Sequence, residues 1–211
     1  GNGGDSSNVL KQLEAWVIRE RPAVVHFNSG IHDTKKFRKS GKFQVSPEQY
    51  ESNLRAIVTR IRKETDAVVL FGTTTPTLDD RAAKTRSERD YELLGASVEQ
   101  YNGIAAKVMR ELDVPVNDLH LVLSKPEAPL TTGELIGTDG VHLTEVAREM
   151  LGRQVALFVG KQLPGPSGRK AESGPWSIEK FQEAPAVTWL DEKSPIRSLT
   201  YRNENFQNHE T

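Results

Sequence analysis

Three short, unbroken apolar runs, separated by helix-patterned segments, constrain this chain more than any other feature. Residues 23–27 (Ala-Val-Val-His-Phe), 67–71 (Ala-Val-Val-Leu-Phe) and 114–116 (Val-Pro-Val) show no apolar/polar alternation. An uninterrupted run of that length is how a strand reads when both of its faces are buried. Between the runs the apolar residues recur at helical spacing. Val9, Leu10, Leu13, Trp16 and Val17 predict a helix over 7–21, capped by Ser6 or Ser7 and stopped by Pro22. Ser46-Pro47-Glu48-Gln49 is a capping box with proline at the first helical position, and it opens a helix that carries Tyr50, Leu54, Ile57 and Ile61 on one face. Further helices are expected over 91–112, from 119 to 123, and over 145–163, the last with Val146, Met150, Val155, Leu157 and Phe158 mostly inward. Buried strands alternating with helices imply a parallel sheet covered on both faces, a three-layer α/β/α (flavodoxin-like) domain.

Size and charge narrow the function. The chain has 211 residues, enough for one sizeable core, and its 28 Lys+Arg nearly cancel its 29 Asp+Glu. The basic residues are scattered, so the sequence predicts neither a nucleic-acid partner nor a membrane surface. No apolar run reaches transmembrane length. The absence of cysteine excludes disulfides, thiolate nucleophiles and thiolate metal sites. The histidines have no metal-ligand spacing and no Walker-type phosphate loop is present, so neither metal nor cofactor is expected. At Pro164 the composition changes. Pro, Gly and Ser crowd residues 164–175, and 176–211 keeps Trp176, Phe181, Trp189, Tyr201 and Phe206 without a clean period. The expected organisation is a domain over 1–163 and a linker with an aromatic extension over 164–211, either a strap or the start of a second module.

The chemistry concentrates in three loops. Asp139-Gly140-Val141-His142 sets a carboxylate three positions before an imidazole, just ahead of the last helix. One carboxylate oxygen can hold the near ring nitrogen and leave the other nitrogen free to take a proton, the orienter-and-base half of a hydrolytic triad. Asn28-Ser29-Gly30-Ile31-His32-Asp33 follows the first strand, and Gly1-Asn2-Gly3-Gly4-Asp5-Ser6-Ser7 precedes the first helix. Open α/β sheets collect their active sites at such junctions. His26 reads as a satisfied core histidine, and Asp79-Asp80-Arg81 as part of a solvated loop over 78–89 that reaches the pocket rim. The loops over 34–44 and 73–89 are the expected specificity elements.

Taken together the three loops resemble the SGNH (GDSL-type) hydrolases, over residues 1 to about 163. The resemblance implies hydrolysis of an ester, of an acetylated sugar or polysaccharide by the habit of the family, through a serine-bound acyl intermediate. It implies that His142 is the general base, Asp139 its orienter and Gly4 a backbone donor to the oxyanion. His32 stands where the family carries an oxyanion-hole asparagine, and Asn28 is close enough to share that duty and touch substrate. It also points to an extracytoplasmic location. The nucleophile departs from the pattern. Gly4-Asp5-Ser6 imitates the family's serine block, but no buried strand precedes it. The expectation is therefore that the first strand and the serine lie upstream, supplied by an upstream peptide or a neighbouring chain that completes the sheet. The rival expectation is a non-catalytic, glycan-binding or structural module that has lost its nucleophile.

Overall fold

The computed structural model describes residues 3–163, and the expectations for 164–211 lie outside the described residues. The first helix, α1 (Ser6–Leu13), is capped by Asp5, whose carboxylate accepts the Asn8 N–H at 3.0 Å. This corrects the expected cap. Ser6 sits one position inside the helix, fully buried, and is drawn away to Asp33. After Leu13 the chain loosens into a π-helical turn, Glu14–Ile18, and Pro22 then bars further helix.

The sheet is parallel. β1 (Val24–Phe27) pairs with β3 (Val68–Gly72) in the register Val24↔Val68 to Phe27↔Phe71. β5 (Val116–Asn117) joins the other edge of β3 at Phe71↔Val116 and Gly72↔Asn117. The order is β1-β3-β5, so the outer edge of β1 pairs with no strand among the described residues. On one face, α1, α2 (Pro47–Glu64) and α4 (Gly95–Glu111) bury Leu13, Leu54, Ile57, Ile61, Tyr101 and Val108 against Val69 and Phe71. The other face carries α5 (Leu119–Ser124), α6 (Thr132–Leu135) and α7 (Glu145–Gln162), with Leu123, Leu135, Ile136, Ala147 and Leu151 as their shared core. The three-layer α/β/α arrangement expected from the strand runs is the observed one.

Several local expectations are corrected by packing. Tyr91 does not start a helix. β4 (Tyr91–Glu92) pairs antiparallel with β2 (Lys36–Phe37) inside the expected 34–44 loop, and the Lys35 ammonium lies 5.1 Å from the centre of the Tyr91 ring. The helix proper begins at Gly95. The segment read as a charged loop holds α3 (Asp79–Thr85), whose first-turn carboxylates Asp79 and Asp80 suit the positive end of the helix dipole.

In α7, Val146 and Leu157 are 50% and 42% exposed, against expectation. The face turned inward runs through Ala147, Leu151, Gln154 and Phe158. Gln154 donates to the Asn117 carboxamide at 2.9 Å, and Phe158 meets His26 edge-on. Met150 and Val155 pack inward as expected, and Gln154 adds a polar anchor that an apolar count passes over. His26 is also corrected: its Nε2 is buried with no partner, and burial lowers its pKa.

Asp33 is the polar centre of the first core. Its Oδ1 accepts the Ser6 N–H at 2.9 Å and the Ser6 hydroxyl at 2.5 Å, and its Oδ2 accepts the Ser29 hydroxyl at 3.2 Å. Asn53 of α2 donates to the Ser6 hydroxyl oxygen at 2.8 Å, and Tyr50 donates to the Ser29 carbonyl at 2.6 Å. Burial pushes the Asp33 carboxyl up, against the pull of the Ser6 and Ser29 bonds. Asp33→Ala leaves the Ser6 N–H and two hydroxyls without their acceptor, which should cost about 2–4 kcal/mol. Asp33→Asn keeps the shape and removes a charge that burial disfavours, so it should cost less than half as much. Urea unfolding at pH 7 checks both, as lower midpoints with an unchanged m-value.

Candidate active site

The loop after α6 is built to hold a carboxylate and an imidazole together. α6 starts at a capping box in which the Glu134 carboxylate accepts the Thr131 N–H at 2.9 Å. A single bridge, Ile136↔Leu143, then closes the loop, with the Gly137 N–H donating to the His142 carbonyl at 2.7 Å. Between the bridge partners the chain turns at Gly140, where φ is +76°. A Cβ there would stand 2.4 Å from the Ala82 nitrogen and 2.6 Å from the Leu78 carbonyl, so the loop lies directly on the first turn of α3. Only glycine meets both demands, the left-handed backbone and the close approach.

Within this loop Asp139 and His142 are joined as expected. Asp139 Oδ1 accepts the Val141 and His142 N–H groups at 3.1 and 2.9 Å. Its Oδ2 lies 2.5 Å from His142 Nδ1. Partial burial raises the Asp139 pKa, but the His142 N–H, the His142 ring and the Val141 N–H outweigh it and hold the carboxyl well below the usual range. The Asp139 carboxylate is therefore ionised at neutral pH. The His142 side chain is 84% exposed, and its Nε2 makes no hydrogen bond among the described residues. That nitrogen is open to take a proton.

The other two loops meet through Asp33. By bonding the Ser6 N–H, Asp33 brings Gly4-Asp5 beside His32. Gly4 takes φ +69°, the left-handed conformation expected of a close-approach glycine. The His32 ring has no hydrogen-bond partner among the described residues. Burial lowers its pKa, the charges of Lys35 and His142 act the same way, and Asp5 opposes them. The ring is therefore neutral at pH 7 and holds one N–H to donate. The charge of His142 bears on His32, so the two imidazoles lie on the same side of the molecule.

Asn28 is engaged elsewhere. Its amide donates to the Gly72 carbonyl at 2.8 Å and lies 3.5 Å from the Thr74 hydroxyl, tying the ends of β1 and β3. The serines of this corner are also engaged: Ser6 and Ser29 give their protons to Asp33, and no described serine bonds the His142 ring.

Two arginines that lie in the expected solvated loop clasp the site instead. Arg81 Nη1 donates to the Gly133 and Ile136 carbonyls at 2.8 and 2.7 Å. Arg86 Nη1 donates to the Asp139 carbonyl at 2.7 Å, and its Nη2 reaches Asp139 Oδ2 at 3.3 Å. No sequence signal links residues so far apart. The Thr131-x-x-Glu134 box, by contrast, is legible and marks a helix inside what reads as a loop. Among the described residues, no group of three or more His, Asp or Glu side chains is arranged to hold a metal ion. Nor is any described helix long and apolar enough to cross a membrane.

Comparison with known proteins agrees with the fold. The profile of the GDSL-like lipase/acylhydrolase family matches residues 1–149. The fold superposes on a lipase/acylhydrolase from Enterococcus faecalis with a TM-score of 0.62 at 21% identity, covering 78% of this chain and 74% of that one. A GDSL-like lipase from Bacteroides thetaiotaomicron gives 0.59 at 16% identity over 77% and 74% of the two chains. An acetylxylan esterase from Geobacillus stearothermophilus gives 0.59 at 18% identity, over 75% and 69%. No curated protein matches the chain in sequence.

Substituting the turn glycine tests how the loop is held. Gly140→Ala meets both the positive φ and the backbone of α3, and should cost about 2–4 kcal/mol. Thermal unfolding reads the loss. The His142 ring resonances should broaden in the same variant while the signals of β1 and β3 stay in place.

Proposed function

The chain belongs to the GDSL-like lipase/acylhydrolase family, and from that premise we propose that it takes part in ester hydrolysis with His142 as general base and Asp139 as its orienter. The observation that carries this reading is the contact of an ionised Asp139 carboxylate with one nitrogen of an exposed imidazole whose other nitrogen is unbonded. In the proposed sequence a serine Oγ attacks the ester carbonyl carbon and His142 Nε2 takes its proton. The tetrahedral oxyanion collects hydrogen bonds from the Gly4 N–H and the His32 ring. As it collapses, His142 returns the proton to the departing alcohol. A water molecule, deprotonated by the same nitrogen, then releases the acid. Asp139 stays ionised throughout and stabilises the imidazolium.

The proposed substrate is an acetyl ester of a carbohydrate. The structural likeness to an acetylxylan esterase supports it. The nucleophile is the open part of the design. With the Ser6 and Ser29 protons committed to Asp33, the serine is proposed to stand on a segment outside the described residues that pairs along the outer edge of β1, either an upstream peptide or a neighbouring chain. The same commitment of these serines favours the rival reading, a glycan-binding module without a nucleophile.

Labelling with a fluorophosphonate probe followed by peptide mapping separates the readings. The expected label is on a serine outside residues 3–163. Label on Ser6 would overturn the assignment of the nucleophile, and no label in any form of the protein would favour the binding module. Where hydrolysis of p-nitrophenyl acetate is measurable, His142→Ala should lower kcat/KM by about 10³-fold or more. An unchanged rate would remove the triad. His32→Ala should cost about 10²–10³-fold, the effect of one oxyanion donor. His32→Asn, which donates from an amide at every pH, should stay within about tenfold of the parent and show no rate inflection from residue 32.

A further inference from the structure

The contacts of Asp139 extend beyond the imidazole. Its carboxylate and its own main-chain carbonyl are held by one guanidinium. Arg86 Nη1 takes the carbonyl at 2.7 Å and Nη2 reaches Oδ2, the oxygen that faces the imidazole, at 3.3 Å. The Arg86 side chain is only 12% exposed, so it is not a solvated surface ion pair. Oδ2 is therefore shared between two cations-to-be: a permanent one behind it and His142 in front, 2.5 Å away. The helix that delivers Arg86 is the one on which Gly140 rests, so the same packing fixes both ends of the contact.

We propose that Arg86 is a positioning residue that fixes the Asp139 carboxylate on His142 Nδ1 and offsets part of its charge, weakening the hold of Asp139 on the imidazolium. The inference deepens the hydrolytic reading and rests on it for its functional meaning. The physical case is electrostatic. A carboxylate with no second cation holds an imidazolium strongly and leaves a base that is already protonated near neutrality. A guanidinium on the same oxygen weakens that hold without supplying a proton, because arginine does not titrate. Arginine also suits the geometry, since its planar fork spans a carbonyl and a carboxylate at once, which a lysine ammonium does less well. The groups that bear on His142 are Asp139 from its own loop, Arg86 through Asp139 from the end of α3, and His32 from the β1–β2 loop.

The test is an NMR titration of the His142 Cε1–H in the full chain, the resonance being assigned by its loss in His142→Ala. In Arg86→Gln the midpoint should rise by about 0.5–1 pH unit, the size expected when one charge is removed several ångströms away in a partly exposed site. In Arg86→Lys, which restores the charge but not the fork, the midpoint should return to within about 0.3 of the parent. Should Arg86→Gln fail to fold, Arg86→Met and Arg86→Lys serve as the pair. An unchanged or lowered midpoint in the folded neutral variant would overturn the proposal, because a merely structural arginine would loosen the loop without raising the basicity of the ring. The titration needs no substrate. Loss of the esterase reading, seen as a rate indifferent to His142→Ala, would leave this result standing, and a flat titration would leave the esterase reading standing.

Discussion

The side of the site that carries Gly4 and His32 depends on the short contact between Ser6 and Asp33. A buried carboxylate is expensive, and this one is satisfied by an N–H and a hydroxyl from one residue and a second hydroxyl from Ser29. The arrangement locks the start of α1 to the loop after β1, although 27 positions separate them in the chain. Tyr50 and Asn53 from α2 complete the ring of bonds, so two helices and the loop after β1 meet on a single polar centre. Gly4 and His32 are neighbours of these anchored residues. Their relative position is inherited from the anchor, the preorganisation that the proposed oxyanion role would need.

The second half of the site is organised differently. Asp139 and His142 are close because only Gly140 and Val141 separate them on a turn. The environment decides where the pair points. Gly140 lets the turn lie against α3 with no side chain between, Arg81 gathers the loop's carbonyls, and Arg86 takes the carboxylate from behind. A segment that reads as solvated charge is thus a clamp. The two halves meet where the charge of His142 bears on His32, across a gap that no described side chain bridges by a hydrogen bond.

The sequence was most legible where the determining interactions are local. Ser46 caps α2 as read, accepting the Gln49 N–H at 3.3 Å, although the Gln49 side chain turns to Asn53 instead of closing the box. The buried strands at 24–27 and 68–72 fall where the apolar runs lie. Legibility failed where a distant partner overrode a local tendency. Tyr91 follows a charged stretch and precedes a helical period, yet it pairs with Phe37. The inner face of α7 includes Gln154 reaching Asn117, a polar contact that hydrophobic periodicity passes over. Ser6 is an acceptable cap by type, but burial and Asp33 recruit it, and Asp5 takes the cap.

What the sequence determined by itself was the alternation of buried strands and amphipathic helices, and the pairing of Asp139 with His142. Both follow from short-range geometry: the periods of helix and strand, and the reach of a carboxylate across a short turn. Only the tertiary structure decided that Asp33 ties the loop of Gly4 to that of His32, that Arg86 stands behind Asp139, that Asn28 donates to the Gly72 carbonyl, and that the outer edge of β1 pairs with no strand among the described residues. These depend on residues tens of positions apart meeting at the ends of a twisted sheet. Their energies arise from burial and desolvation, which no stretch of chain possesses before the layers close.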